Sequence, residues 1–193
     1  LMEGYMDVVA LAGIGVKNAV ASLGTALTKE QAKLIKKFVN TVYLCYDGDD
    51  AGQNASDRAI PILQAEGLTV LVIEMPDGMD PDDYAKAYGP EGFAKAKSAA
   101  LSAMEFQLKR LQRQCDMQNA DQIVAYATAA VGQIGKLENE LEKERYLRLL
   151  AGQTGLSIQS LQMQMGRKTE ETVHNLPEDE QNLVKTEIDD ESK

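Results

Sequence analysis

Histidine and cysteine are scarce, with one His and two Cys in 193 residues. Cys45 lies in the apolar run Val42-Tyr43-Leu44-Cys45-Tyr46 and reads as a small buried hydrophobe. Cys115 stands far from it with no CxxC spacing, which argues against a disulfide framework and against a zinc site. His174 falls in a polar, acidic stretch and is read as neither ligand nor catalytic group. No run of about 18 apolar residues occurs, so no membrane-spanning helix is expected. No charged segment followed by an apolar one opens the chain, so no secretory signal is visible. A reducing cytoplasm fits this cysteine usage. Basic residues are also few: 20 Lys and Arg stand against 30 Asp and Glu, for a net charge of −10. Residues 1–99 hold 9 basic and 14 acidic side chains, residues 100–165 hold 7 and 7, and residues 166–193 hold 4 and 9. No segment forms a basic stripe, so affinity for nucleic acid cannot be argued from charge. A phosphate-neutralising surface would have to come from sequence outside this chain. No internal repeat is present. The chain opens on Leu1, with chemistry beginning at Glu3, and reads as a piece of a longer protein.

The first half alternates short apolar runs with helical patterns. Leu1-Met2 reads as a strand end, Met6–Leu11 as a helix and Asn18–Leu23 as a short strand. Thr28, with Gln31 three residues on, forms a capping box for a helix whose apolar face continues through Leu34, Ile35 and Phe38. Thr41–Tyr46 and Leu68–Ile73 read as buried strands around a helix over residues 51–66 that Gly67 ends. Pro81, preceded by Asp80, opens a further helix. Strands alternating with helices predict an α/β fold with a parallel sheet covered on both faces. From about Leu101 only helical spacing is seen, through Leu101, Met104, Leu108 and Leu111, then Ile123, Ala127, Ala130 and Ile134. A third helix, over about 137–152, carries Leu141, Leu149 and Leu150 on one side, and Ser157 caps a last helix ending near Met165. The expected organisation is an α/β domain over 1–97, an all-α subdomain over 98–165 and an acidic, disordered tail or linker over 166–193.

The chemically loaded residues sit at three strand-to-helix junctions. They are Glu3 in Glu3-Gly4-Tyr5-Met6-Asp7, Asp47 and Asp49 in Asp47-Gly48-Asp49-Asp50-Ala51-Gly52, and Asp80 and Asp82 in Asp77-Gly78-Met79-Asp80-Pro81-Asp82-Asp83. In a parallel sheet such junctions share the edge beyond the carboxyl ends of the strands, so acids far apart in sequence converge. Carboxylates within ~4–6 Å of one another cannot all stay ionised without a counter-charge. A hard divalent cation, Mg²⁺ or Mn²⁺, supplies it through oxygen ligands and keeps waters that phosphates can replace. Gly4, Gly48, Gly52 and Gly78 keep the turns small enough to leave room for both. Each acid also has a purely structural reading. Asp80 and Asp49 suit helix caps, Asp82 and Asp83 face a helix dipole, and Asp47 suits a turn. Five acids at three junctions on one edge are hard to explain as independent caps.

These motifs resemble the Toprim region of bacterial DnaG-type primases. Glu3-Gly-Tyr-Met-Asp7 is similar to its opening motif, Asp47-Gly-Asp-Asp-Ala-Gly52 to DGDxAG and Asp77-Gly-Met-Asp-Pro-Asp82 to DGxDPD. Ala21-Ser-Leu-Gly-Thr25 resembles its second loop, and the likeness spans about residues 1–165. The resemblance implies a Toprim-like sheet flanked by helices, followed by a helical subdomain. It implies that Glu3 is a metal ligand or general acid/base, and that Asp47, Asp49, Asp80 and Asp82 hold divalent ions. Asp7 would support them, and Gly24 and Thr25 would line the site. Asp50 falls at a variable position and is not counted. The implied activity is synthesis of short RNA primers on single-stranded DNA from ribonucleoside triphosphates, at the bacterial replication fork. Zinc would belong to an N-terminal domain beyond this chain. Contact with the replicative helicase would belong to a C-terminal domain beyond it. This piece alone is expected to have little or no activity. Two rivals are another Toprim enzyme, a topoisomerase or nuclease, and a non-catalytic interaction module whose acids are only caps.

Overall fold

A computed structural model describes residues 1–174, with side chains through residue 166. The chain divides into two compact units, Leu1–Gln107 and Leu108–Lys193.

The first unit is built on strands β1 (Thr41–Leu44), β2 (Thr69–Val72) and β3 (Leu101–Ser102), in that order across the sheet. β1 and β2 run parallel, with Val42 beside Val70 and Leu44 beside Val72. The parallel expectation stops there, because β3 pairs antiparallel with β2. A two-residue strand inside an otherwise helical pattern is too short to show a period of two, so the sequence reading placed no strand at Leu101. The expected strand over 18–23 is also corrected. It reduces to one parallel bridge, Met2 to Ala21, and Leu23 turns into a positive φ of 64°. The first two residues lie against β1, where the Leu1 backbone nitrogen donates to the Tyr43 carbonyl and Cys45 N–H donates to the Leu1 carbonyl.

Alternation along the strands feeds two cores, one on each face. Val42, Leu44, Val70 and Val72 pack with Ile60 and Leu63 of helix α3 (Asp50–Ala65) and with Phe106. Ala32 of helix α2 (Lys29–Lys36) joins the same cluster. On the other face, Cys45 and Ile73 pack with Leu11 of helix α1 (Tyr5–Gly13) and with Ala85 and Phe93 of helix α4 (Pro81–Ser98). Helix α4 breaks at Gly89, whose φ of 61° and ψ of −164° let Pro90 restart a helical run. The Thr28–Gln31 capping box forms as expected. The apolar face assigned to α2 does not. Ile35 packs on the core, whereas Leu34 and Phe38 are exposed, Phe38 by 78%. The helix ends at Lys36, so Phe38 no longer follows its periodicity.

Helix α5 (Ala103–Arg113) runs across the division between the units. In the second unit, α6 (Ala120–Ile134) buries Tyr126, Ala127, Ala130, Val131 and Ile134. α7 (Glu140–Thr154) buries Tyr146, Leu147 and Leu150, and α8 (Ile158–His174) buries Leu161. Of the face assigned to α7, Leu150 is in the core, whereas Leu141 is 77% exposed, Leu149 is exposed, and Tyr146 and Leu147 take the other core positions. Asn119 and Asn139 cap α6 and α7, and Ser157 accepts the Ser160 N–H at the start of α8. α8 continues past the expected end near Met165 to His174. The remainder of the expected tail, 175–193, lies outside the described residues.

Candidate functional site: an acidic edge on the first unit

Three loops meet at the carboxyl ends of the strands. The loop after β1 carries Asp47 and Asp49, and the loop after β2 leads to Asp80 and Asp82. Gly48 N–H donates to the Met79 carbonyl at 2.9 Å and joins these two loops. A Cβ on Gly48 would lie 2.1 Å from the Pro76 carbonyl oxygen, so only glycine permits this approach. Glu3 and Asp7 come from the loop and helix that follow Met2. Gly24, at a φ of 70°, donates its N–H to the Glu3 carbonyl at 3.0 Å, and Thr25 Oγ1 donates to the Ser22 carbonyl. The second loop is thus fastened to the first.

The acids act on one another across these loops. Burial pushes the Asp47 carboxyl up to about 6, reinforced by Glu3, Asp7, Asp80 and Asp49 in that order. Burial also raises Glu3, with Asp49 and Asp7 adding to the effect, while the Asp47 backbone N–H and the Arg58 charge oppose it. Asp7 is a buried acid whose carboxyl rises, again first by burial, although it accepts the Gly4 N–H at 3.1 Å. Oε1 of Glu3 is buried with no hydrogen-bond partner. Residues from three loops therefore share one field, and it favours bringing a cation in.

Asp80, Asp82 and Asp83 offer carboxylate oxygens that all lie within 4.8 Å of one another. The sequence reading named the first two of these and missed Asp83 as a donor. In the sequence Asp83 reads only as part of the helix start, where its N–H donates to the capping Asp80 Oδ1 at 2.7 Å. Glu3, Asp47 and Asp49 are not in that tight triad. The cap readings also hold in part, because Asp49 Oδ1 accepts the Gly52 N–H at 2.8 Å. A cap occupies one carboxylate oxygen and leaves the other for a ligand. Lys86 pairs with Asp82 from one turn on, so the triad is partly neutralised from the solvent side. Taken together, the acids of the three loops fit a hard divalent cation: their donors are all oxygen, those of Asp80, Asp82 and Asp83 are crowded, and Glu3 contributes a buried oxygen without a partner.

Comparisons with known proteins place both parts of the chain. Residues 1–85 match the family model described as Toprim-like, which is the class that the sheet and its acidic edge define. Residues 104–159 match the model described as the DnaB-helicase binding domain of primase. The DNA primase of Halalkalibacterium halodurans is 42% identical over 168 residues, covering 86% of this chain and 28% of that protein. A DNA primase domain from Pseudomonas aeruginosa superposes with a TM-score of 0.66 at 31% identity, covering 86% of this chain and 54% of that one. The catalytic domain of a DnaG primase bound to single-stranded DNA gives 0.65 at 34% identity, covering 83% and 52%. The chain belongs to the bacterial DnaG-type primases, as a Toprim portion with the helical subdomain that follows it. It spans 28% of the length of the first of these curated relatives. The sequence reading assigned helicase contact to a domain beyond this chain, whereas the match places a segment similar to such a domain at 104–159. Heptad-like Leu and Met spacing looks the same whether a helix serves a core or a partner, so that signal was not available. No helix among the described residues is long and apolar enough to cross a membrane.

Proposed function

We propose that this chain is the metal-holding part of a DNA-directed RNA polymerase that makes short RNA primers on single-stranded DNA. The observation that carries the reading is the convergence of Glu3, Asp7, Asp47, Asp49 and Asp80, from three loops and the helices they open, in one electrostatic field. Asp80, Asp82 and Asp83 on one side, and Glu3, Asp47 and Asp49 on the other, would hold Mg²⁺ or Mn²⁺. Such ions supply charge neutralisation at the triphosphate and acidify a bound hydroxyl. The 3′-oxygen of the growing primer attacks the α-phosphorus of a ribonucleoside triphosphate. A new P–O bond forms as the bond to pyrophosphate breaks. Glu3 Oε1, buried and without a partner, takes the hydroxyl proton, and burial raises its basicity for that task. Asp7 holds the Gly4 amide and so orients the Glu3 loop. Gly24 and Thr25 wall the site on the side of the second loop.

The match over 104–159 supports contact of the helical subdomain with a replicative helicase. The relatives' named role supports a site of action at the bacterial replication fork, in the cytoplasm. The template strand, the triphosphates and the RNA primer are the proposed ligands. The deciding experiment is primer synthesis by the complete enzyme carrying Asp47→Asn or Asp80→Asn. Loss of primers with an unchanged circular dichroism spectrum is expected. Near-normal synthesis by either variant would remove the basis for the assignment.

A further inference from the structure

Beside the acidic edge lies a second feature of the first unit. A pocket of about 630 Å³ opens between the second loop and helix α3. Ala55, Arg58, Ala59 and Ile62 recur at helical spacing on α3 and form one wall. Ser22, Thr25 and Leu27 belong to the opposite wall. Glu3 lines the same pocket, so one residue is shared between it and the acidic edge.

Arg58 is the only cation among the lining residues. Its charge is felt by Glu3, yet it forms no ion pair or hydrogen bond with another described residue. A guanidinium is a planar fork of donors suited to phosphate oxygens. Ala55, one turn before Arg58 on the same face, has a short side chain and leaves space beside the guanidinium for a ligand. Leu27, Pro61 and Ile62 also line the pocket and supply apolar surface that suits a base or ribose rather than a second phosphate. The pocket therefore combines one anion-seeking group and apolar surface with two carboxylates, Glu3 and Asp57.

We infer that Arg58 contacts a phosphate of the nucleotide whose reacting oxygen is presented to Glu3, making this pocket a nucleotide subsite next to the acidic edge. The inference rests on the proposed polymerase function and deepens it. The phosphate belongs either to the incoming triphosphate or to the polynucleotide strand, and both present the same chemistry to Arg58.

The test uses the complete primase with Arg58→Ala, Arg58→Gln and Arg58→Lys. Two quantities are measured: KM and kcat for ribonucleoside triphosphates, and Kd for an RNA primer annealed to single-stranded DNA. Loss of a charge-assisted contact raises one of these affinity constants about tenfold. A raised KM identifies the triphosphate as the source. A raised Kd, with a log Kd against log salt slope smaller by roughly one, identifies the strand. Arg58→Lys keeps the charge without the fork and falls between wild type and alanine. Unchanged KM and Kd beside an active wild type overturn the inference. So does a fall in kcat alone, or an affinity loss that appears only in variants with a lowered Tm. A wild-type enzyme that makes no primers would instead overturn the proposed function, so the two failures are distinct.

Discussion

The N–H of Gly48 donates to the carbonyl of Met79, and that one bond holds the Asp47 loop against the Asp80 loop. The approach depends on Gly48 having no side chain, since a Cβ there would meet the Pro76 carbonyl oxygen at 2.1 Å. Gly48→Ala must push the loops apart. Overpacking of this kind costs about 1–3 kcal/mol. Thermal unfolding should show a lowered Tm, and Mn²⁺ affinity by calorimetry should fall with it, because Asp47 and Asp80 separate. An alanine variant that binds Mn²⁺ as tightly as wild type would show that the two loops do not share an ion.

Asp80 carries two roles that can be separated. It caps α4 through Oδ1 and belongs to the triad with Asp82 and Asp83. Asparagine caps helices about as well as aspartate, while alanine loses about 1 kcal/mol. Asp80→Asn should therefore keep wild-type stability to within about 0.5 kcal/mol and lose Mn²⁺ affinity. Asp80→Ala should lose both. Equal Mn²⁺ affinity in wild type and Asp80→Asn would leave the residue as a cap alone.

The acidic edge was legible because strand-to-helix junctions are marked in sequence by short apolar runs, glycines and caps. That signal places Glu3, Asp47 and Asp80 on one side of a sheet without any knowledge of distances. The third member of the triad was not legible, since Asp83 is identical in sequence terms to a residue that only faces a helix dipole. The helical subdomain was legible as helices but not in its facing. Leu141 fits an apolar stripe by type, yet it lies in the first turn of α7, ahead of the buried residues Tyr146, Leu147 and Leu150. β3 was missed because two residues carry no periodicity, and its pairing comes only from tertiary proximity to β2.

In the second unit, Tyr126 is buried and its hydroxyl donates to Gln153 Oε1 at 2.8 Å. Tyr126→Phe removes the donor and leaves the ring packed, at a cost of about 1 kcal/mol. Leu150→Ala removes a fully buried side chain and should cost about 2–5 kcal/mol. Urea unfolding of both variants gives the comparison. A larger loss for Tyr126→Phe than for Leu150→Ala would mean that this hydrogen bond outweighs the core contact.

Asp47 predicts the pH response of the metal-free fold. Its carboxyl is raised from 3.8 to about 6, first by burial and then by Glu3, Asp7, Asp80 and Asp49. The folded chain thus holds this proton more tightly than the unfolded chain does. The resulting stabilisation is present in full below 3.8, falls as pH rises through about 6, and is absent above. Asp47→Asn has no proton to lose, so its Tm relative to wild type, measured in EDTA, should be higher at about pH 7 than at about pH 4. Mn²⁺ added at neutral pH should raise the wild-type Tm more than that of the variant, since a cation binding only the fold stabilises it by mass action. Glu3 and Asp7 are raised for the same reason and remain in the variant, so part of the pH dependence persists. A Tm difference that is the same at both pH values would mean that Asp47 ionises in the fold as it does in water, and that the crowding of acids at this edge is relieved without a metal.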